Sequence, residues 1–506
     1  MSQLPVNEEK RAGRAAELFS SRWGMLMTAL GIAVGTGNIW RFPRVAAANG
    51  GGVFILAWTL FLFLWSIPLL VTESALGRAS RRGSLGSFMF LRGERGAWMG
   101  GFVALITGGI MFYYSVVTGW CLRYLVGTLS GAVNGATGPE FWHAFAGSWQ
   151  ALGYHAAAAV IAGLVVGAGV RLGIEGSAKV MIPVLALIMV YAAVRALCLP
   201  GAMAGVHYLF QFKAADFLSP RVYLEALSQS AWSTGAGWGL LLTYSVYSRP
   251  KEKIVQNSLI MGLGDNTASL LAALAVIPTV FALLPAEQAA AVVKLPGENS
   301  TGLTFIWIPR LLGAGPGGRV MLPLFFLALF FAAMSSFISM IEMWVKNLID
   351  LGLRRRTATL TVTGLTLLGG APSALSGKFF DNQDWVWGLG LLVSGLLFSL
   401  AVSRYGADRF VQEVVNRDDT PDMKPGRGFA FTLRWLIPLQ FAVLLLWWFW
   451  LSVGWDRANW WNPLGVATIG SCLAQWGLGV VMLLACGPWL ARRVKANDLR
   501  ESSFKD

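Results

Sequence analysis

Apolar runs of about 20 residues, the length at which a helix crosses the hydrocarbon core of a bilayer, recur from Met25 to the arginine-rich segment that begins at Arg492. Nothing else in the chain restricts its fold as strongly. Backbone placed in hydrocarbon has no water to bond, so each run must satisfy its own N–H and C=O groups, and a helix does this within one segment. About twelve such runs, each of spanning length, imply an all-α polytopic membrane protein of 12 transmembrane helices. The composition agrees: 55% of residues are hydrophobic and only 13% charged, which is outside the range of water-soluble domains.

The formal net charge of +14 raises the question of a nucleic-acid partner, and the placement of the bases answers it. They fall in short loops and not on one face. Arg11, Arg14 and Arg22 precede span one, Arg78, Arg81, Arg82, Arg92 and Arg95 follow span two, and Arg249, Lys251 and Lys253 follow span six. Arg354, Arg355 and Arg356 follow span eight, and Arg492, Arg493 and Lys495 follow the last. By the positive-inside rule both termini are cytoplasmic, while the base-poor loops near residues 131–147 and 286–318 face outward. The polar N-terminus has no short apolar region with a cleavage site, so no removable signal peptide is expected. Cys121, Cys198, Cys472 and Cys486 lie in or beside apolar spans and imply no disulfide framework.

Two spans cannot run as continuous helices. In GIAVGTGNIWRFP, Gly31, Gly35 and Gly37 stand close to Asn38, Arg41 and Pro43, and each interior glycine costs about 1 kcal/mol against alanine. In SAWSTGAGWG, from Ser230 to Gly239, the glycines Gly235, Gly237 and Gly239 repeat the pattern. Breaks at membrane depth persist only where protein, water or ligand takes up the freed backbone groups, which makes each a candidate binding site. The first and sixth spans each open a set of five. This predicts a 5+5 inverted repeat with helices 1 and 6 unwound at mid-membrane, plus two C-terminal helices. The boundaries expected are a tail at 1–22, repeats at 23–200 and 201–410, the last two helices at 411–492 and a tail at 493–506. Span seven carries Asp265 and Asn266 within an apolar run, and span eight carries AAMSSFISM from Ala332 to Met340. His143, His155 and His207 are scattered, and no metal spacing, nucleophile elbow or phosphate loop appears, so the chain does not read as an enzyme.

AVGTGNIWRFP, the NGGG turn at Asn49 to Gly52, ESALGR at Glu73 to Arg78, FYYS at Phe112 to Ser115 and FFAAMSS at Phe330 to Ser336 stand in an order that resembles the neurotransmitter:sodium symporter family, in its bacterial amino acid transporter branch. The similarity runs from Ser20 to about span twelve. Interrupted helices at corresponding places in two halves mark transporters of this kind, this family among them. The resemblance implies two sodium sites. One takes the carbonyls of Gly31, Val34 and Ala332 with the hydroxyls of Ser335 and Ser336; Ser335 stands where many relatives have threonine. The other takes the Ala33 carbonyl, Asn38, Ser233 and Asp265, completed by the substrate carboxylate, so that ion and substrate each favour the other's binding. Asp265 departs from the usual asparagine, and Trp58 replaces a tyrosine whose hydroxyl would hold chloride with groups like Gln229, Ser233 and Ser269. Asp265 is therefore expected to replace chloride, and no chloride is expected.

The resemblance also places the substrate. Gly35 stands where amine carriers have aspartate and amino acid carriers have glycine, and Tyr114 matches the tyrosine that binds a carboxylate, beside the amides of Gly35, Thr36 and Gly37. The side-chain pocket is expected from Ile110, Trp232, Gly235, Trp238, Ser336 and Met340. None is charged, which suits a neutral, mainly hydrophobic amino acid. Its size stays open, since Gly235 gives room that Trp232 and Trp238 take up. Arg41 and Asp384 match an outer gate and Asp350 an inner gate carboxylate; the inner arginine's position reads Ala16, with Arg14 the nearest base and Phe19 where tryptophan is usual. Gly173 and Pro183 resemble a span-five unwinding motif, and Glu73 resembles a support for unwound span-six backbone. The implied activity is sodium-coupled symport by alternating access across a bacterial inner membrane, as a monomer or homodimer. A proton-coupled permease using Asp265 and a membrane sensor that binds an amino acid are the competing readings. Asn299-Ser300-Thr301 fits a glycosylation pattern without function in such a setting.

Overall fold

The structure, a computed structural model, describes residues 18–294, 303–314, 317–417 and 421–503. Arg14, Ala16 and the Asn299-Ser300-Thr301 pattern lie outside the described residues. Among the described residues, ten helices are long and apolar enough to cross a membrane. They are Gly52–Ser80, Ser84–Leu129, Trp149–Gly167 and Val170–Leu197 as spans two to five, then Ile254–Leu283, Gly318–Asp350, Arg355–Leu375, Gly377–Tyr405, Arg427–Trp455 and Ile469–Asn497 as spans seven to twelve. Two interrupted spans complete the set. Span one is Arg22–Ala33 followed by Phe42–Ala48, and span six is Pro220–Ser233 followed by Leu240–Val246. Each interrupted span leads a group of five, and five is odd. The second group therefore enters the bilayer from the opposite side, and the two groups run inverted.

Local chemistry explains the ends of these elements. Span one starts where the Ser21 hydroxyl accepts the Gly24 amide at 3.0 Å, an N-cap that satisfies one of the orphan donors of a helix start. Between spans one and two the chain must turn beneath an outer loop: a Cβ on Gly51, which has φ +55°, would stand 2.6 Å from the Leu209 carbonyl oxygen. Span three is packed through its glycines. A Cβ on Gly108 would meet the Trp344 indole at 2.5 Å and one on Gly109 the Trp387 indole at 2.3 Å, so span three lies close against spans eight and ten.

The two breaks differ in how their backbone is bent. In span six, Gly235, Gly237 and Gly239 take φ values of +70°, +87° and +76°, a region that other L-residues enter only under strain. In span one none of the three glycines has positive φ. There the missing side chains allow close approach, since a Cβ on Gly31 would lie 3.1 Å from the Cβ of Ser335.

Neighbouring spans supply the bonds that a continuous helix would have made for itself. Glu73 of span two, fully buried, accepts the Gly237 amide at 2.6 Å and the Leu242 amide at 3.2 Å. Ser394 of span ten donates to the Gly237 carbonyl at 2.6 Å, and Thr107 of span three to the Trp238 carbonyl at 2.8 Å. In span one the Asn38 side-chain oxygen accepts the Gly35 amide at 2.9 Å. Span five is also irregular at its start: Gly169 has φ +89°, Val170–Glu175 forms a π-helical turn, and Pro183 lies within the helix that follows. A Cβ on Gly173 would fall 1.8 Å from the Val165 carbonyl oxygen. Only glycine fits there.

Glu73→Ala strands two buried amides, at about 1–3 kcal/mol each. It is expected to lower the thermal midpoint in detergent more than Glu73→Gln, which keeps one acceptor oxygen. A midpoint for Glu73→Ala equal to that of the unmodified protein would refute the role assigned to Glu73 in holding span six.

Candidate functional site

The two breaks face each other across a cavity of about 590 Å³. Its inner part is lined by Ala33, Gly35, Thr36, Gly37 and Asn38 of span one, Tyr114 of span three, Trp232, Ser233, Gly235 and Trp238 of span six, and Ser336 and Met340 of span eight. Toward the outer loops it widens into a vestibule bearing Arg41, Arg44, Arg221, Glu225, Lys294 and Asp384, with Trp448 and Trp455 of span eleven. Of the expected substrate residues only Ile110 is absent from this lining. It is fully buried, and Tyr113, Tyr114 and Val117, one to two turns further along span three, face the cavity instead.

The inner part has polar and apolar walls. The Tyr114 hydroxyl lies 3.2 Å from the Thr36 hydroxyl and 3.4 Å from the Thr36 amide, next to Gly35, whose Cβ would stand 3.4 Å from that hydroxyl and 3.1 Å from the Ser336 hydroxyl. An N–H at a helix break beside a hydroxyl is a favourable place for an anionic group. A side chain at position 35 would occupy that place.

Two oxygen-rich clusters flank the cavity. In the first, Asp265 is fully buried and its carboxylate accepts from Asn38 Nδ2 at 2.6 Å and from the Ser233 hydroxyl at 2.8 Å. Asn38 Nδ2 also donates to the Ser269 hydroxyl at 2.8 Å. The Ala33 carbonyl, in the same break, accepts the Gly35 amide at 2.9 Å. No basic side chain lies within 4.0 Å of Asp265 among the described residues. A carboxylate inside a membrane with only neutral donors is a strong attractor for a cation or a proton. In the second cluster the Ser336 hydroxyl lies 3.2 Å from the carbonyls of both Gly31 and Ile32 and 3.3 Å from that of Ala332, and the Ser335 hydroxyl lies 3.2 Å from the Ala332 carbonyl. Val34 leaves the helix at φ −80°, ψ 82°, so its carbonyl no longer follows the helix axis. Both clusters combine carbonyls from a broken helix with side-chain oxygens from an intact one, the donor set of a hard cation.

The two ends of the cavity differ. Arg41 and Asp384 form no ion pair within 4.0 Å among the described residues; the Arg41 guanidinium lies 5.4 Å from the centre of the Trp232 ring, and the vestibule is open. The end opposite the vestibule is closed among the described residues. Glu175 accepts the Ser20 amide at 2.7 Å and pairs with Lys179 at 2.6 Å, Phe19 is buried, and its amide donates to the Tyr247 carbonyl at 3.1 Å. Asp350 accepts the Gly83 amide, from the turn between spans two and three, at 2.6 Å and pairs with Lys346 in its own helix. A bridge that the sequence reading missed lies nearby. Arg355 of span nine pairs with the fully buried Glu342 of span eight at 2.8 Å, and Glu342 accepts from the Tyr247 hydroxyl at 2.6 Å. The available signal was an acidic residue within the apolar run of span eight. Where the resemblance places a chloride site, both amide atoms of Gln229 and the indole nitrogen of Trp58 are buried without a hydrogen-bond partner among the described residues.

A cavity between two inverted broken helices, flanked by cation-type oxygen clusters and open to one side only, defines a transporter that couples a small solute to an ion. Residues 16–144 and 148–491 match the model of the Sodium:neurotransmitter symporter family. The chain belongs to that family. It is 32% identical over 452 residues to the uncharacterized sodium-dependent transporter YhdH of Bacillus subtilis strain 168, covering 85% of this chain and 96% of that protein. It is 26% identical over 499 residues to the sodium-dependent serotonin transporter of Drosophila melanogaster, covering 88% and 79% respectively. Among solved structures, the crystal structure of MhsT in complex with L-phenylalanine superposes with a TM-score of 0.74 at 28% identity, over 85% of this chain and 99% of that one. The chain is thus a multi-pass, sodium-dependent membrane transporter and not an enzyme.

The open vestibule makes a specific demand on accessibility. Gly37 lines the cavity and a Cβ there would meet nothing within 4 Å, whereas Thr28 of the inner half of span one is buried. With the exposed Cys198 and Cys486 changed to serine, a membrane-impermeant maleimide is expected to label Gly37→Cys in intact cells and to leave Thr28→Cys unlabelled. Equal labelling of the two would contradict an outward-open cavity.

Proposed function

We propose that this protein carries neutral, mainly hydrophobic L-amino acids into the cell together with sodium, without need of chloride, across a bacterial inner membrane with both termini cytoplasmic. The observation that carries the reading is the pairing of an uncharged inner cavity with an unpaired buried carboxylate, Asp265, at its edge. The α-carboxylate sits against Tyr114 and the amides at Gly35, Thr36 and Gly37, and the side chain against Trp232, Gly235, Trp238, Ser336 and Met340. One sodium binds at Ala33, Asn38, Ser233 and Asp265, where the substrate carboxylate completes the shell. The other binds at Gly31, Val34, Ala332, Ser335 and Ser336. The L-phenylalanine bound in the MhsT structure supports an amino acid cargo, and the absence of a side chain at Gly35 supports a carboxylate-to-sodium contact over an amine pair.

Transport then follows from exchange of the two closures. Sodium and substrate draw the bundle of spans one, two, six and seven against the remaining scaffold, Arg41 approaches Asp384 above them, and the contacts of Ser20, Glu175, Phe19 and Tyr247 below are released. Gly173 and Pro183 allow the inner end of span five to unwind, opening a water path to Ser335 and Ser336. Each sodium charge moving down the membrane potential contributes about 2.3 kcal/mol per 100 mV. Asp265 also suits a proton-coupled cycle, the one alternative a particular residue favours.

Proteoliposome uptake of a labelled amino acid panel separates these. A sodium gradient is expected to drive accumulation of neutral amino acids while a pH gradient alone does not, and replacing chloride by gluconate should leave the rate unchanged. Uptake driven by pH in the absence of sodium would sink the sodium reading. Removing both hydroxyls with Ser335→Ala and Ser336→Ala should raise the sodium concentration for half-maximal uptake by about 10–100-fold, the scale on which loss of even supporting groups acts at metal sites. Asp265→Asn keeps an oxygen but loses the negative charge, and its uptake should rise when chloride is restored.

A further inference from the structure

Trp232 is half-buried on the cavity wall, just before the break in span six. Its indole is held on three sides. The Arg41 guanidinium lies 5.4 Å from the ring centre, the Trp238 ring stands nearly perpendicular at 6.3 Å, and the far edge of the benzo ring enters a notch in span ten. That notch exists because residue 388 is glycine. A Cβ built there would stand 2.3 Å from Trp232 Cζ2 and 2.4 Å from Cη2, well inside van der Waals contact. Gly388 itself does not line the cavity. Whatever effect it has on a substrate passes through Trp232.

We infer that Gly388 is a specificity-determining positioning residue: by giving the Trp232 indole a place to withdraw, it reserves the inner cavity for neutral amino acids with large, phenyl- or indole-sized side chains. The inference rests on the amino acid reading above and deepens it. Trp232 and Trp238 both line the cavity and take up space that a substrate side chain could fill. Here one of them is recessed into span ten, and Gly235, whose own Cβ would stand 2.8 Å from Ile32 Cγ2, adds no side chain of its own. With a methyl group at 388 the ring must retreat by about 1 Å to reach ordinary contact. The backbone of span ten blocks one direction, so the ring moves into the cavity.

The test is ligand-induced thermal stabilisation of the full-length protein in sodium, measured with tryptophan, phenylalanine, alanine and glycine. Gly388→Ala should weaken tryptophan and phenylalanine at least tenfold more than alanine and glycine, the low end of what methylene-scale changes achieve in apolar pockets. Adding Trp232→Phe to Gly388→Ala removes the colliding ring atoms and should restore the bulky ligands. Equal losses for large and small ligands, or no restoration in the double variant, overturn the inference. If Gly388→Ala fails to fold, the unmodified protein supplies the test: tryptophan and phenylalanine should stabilise it at concentrations at least about tenfold lower than alanine and glycine. Small ligands binding as tightly as the bulky ones overturns it. If the unmodified protein is stabilised by none of the four amino acids, the amino acid reading falls and takes this one with it; if it is stabilised by the small ones alone, only this one falls.

Discussion

The structure depends on satisfying backbone amides and carbonyls that two transmembrane helices release where no water is available. Each orphaned group would cost free energy on the scale of a lost hydrogen bond, and the protein meets that cost with side chains projected from intact helices. Glu73, Ser394 and Thr107 bind the released groups of span six, while Asn38, Tyr114 and Ser336 approach those of span one. These contacts also fix the geometry of the cavity, because Asn38, Tyr114 and Ser336 line it themselves.

Asp265 gives this site its electrostatic character. Its two oxygen atoms receive an amide and a hydroxyl, both neutral, so its charge is balanced by nothing within reach among the described residues. Pairing a buried carboxylate with a mobile cation makes ion occupancy and charge balance one event, which suits a cycle that must be favourable both loaded and empty. The nearby Gln229 and Trp58 carry buried polar atoms without a hydrogen-bond partner among the described residues.

The two ends of the cavity are asymmetric. Above, Arg41 and Asp384 stand apart across an open vestibule. Below, Glu175 joins the segment before span one to the π-helical start of span five, and the Arg355, Glu342 and Tyr247 bridge ties spans six, eight and nine. The inner closure therefore bears directly on the stretch between Gly173 and Pro183.

Most of the fold was legible in the chain itself. Apolar run length identifies helices that cross a bilayer, basic loops orient them, and glycine clusters at Gly31 to Gly37 and Gly235 to Gly239 mark the breaks, all because these are local consequences of residue type. The sequence also grouped the cavity residues, by family resemblance more than by spacing. What it did not contain was distance. Ile110 reads as a pocket residue and is buried away from the cavity, Asp350 takes up the amide of Gly83 from the turn between spans two and three, and Glu342 with Arg355 forms a bridge between residues thirteen apart that no periodicity announces. The notch at Gly388 is the clearest case: a glycine in an apolar helix is unremarkable on its own, and it acquires meaning only when tertiary packing sets an indole from another span against it. Local preference is written in the sequence, whereas which side chain fills which space is decided by the simultaneous close packing of twelve helices.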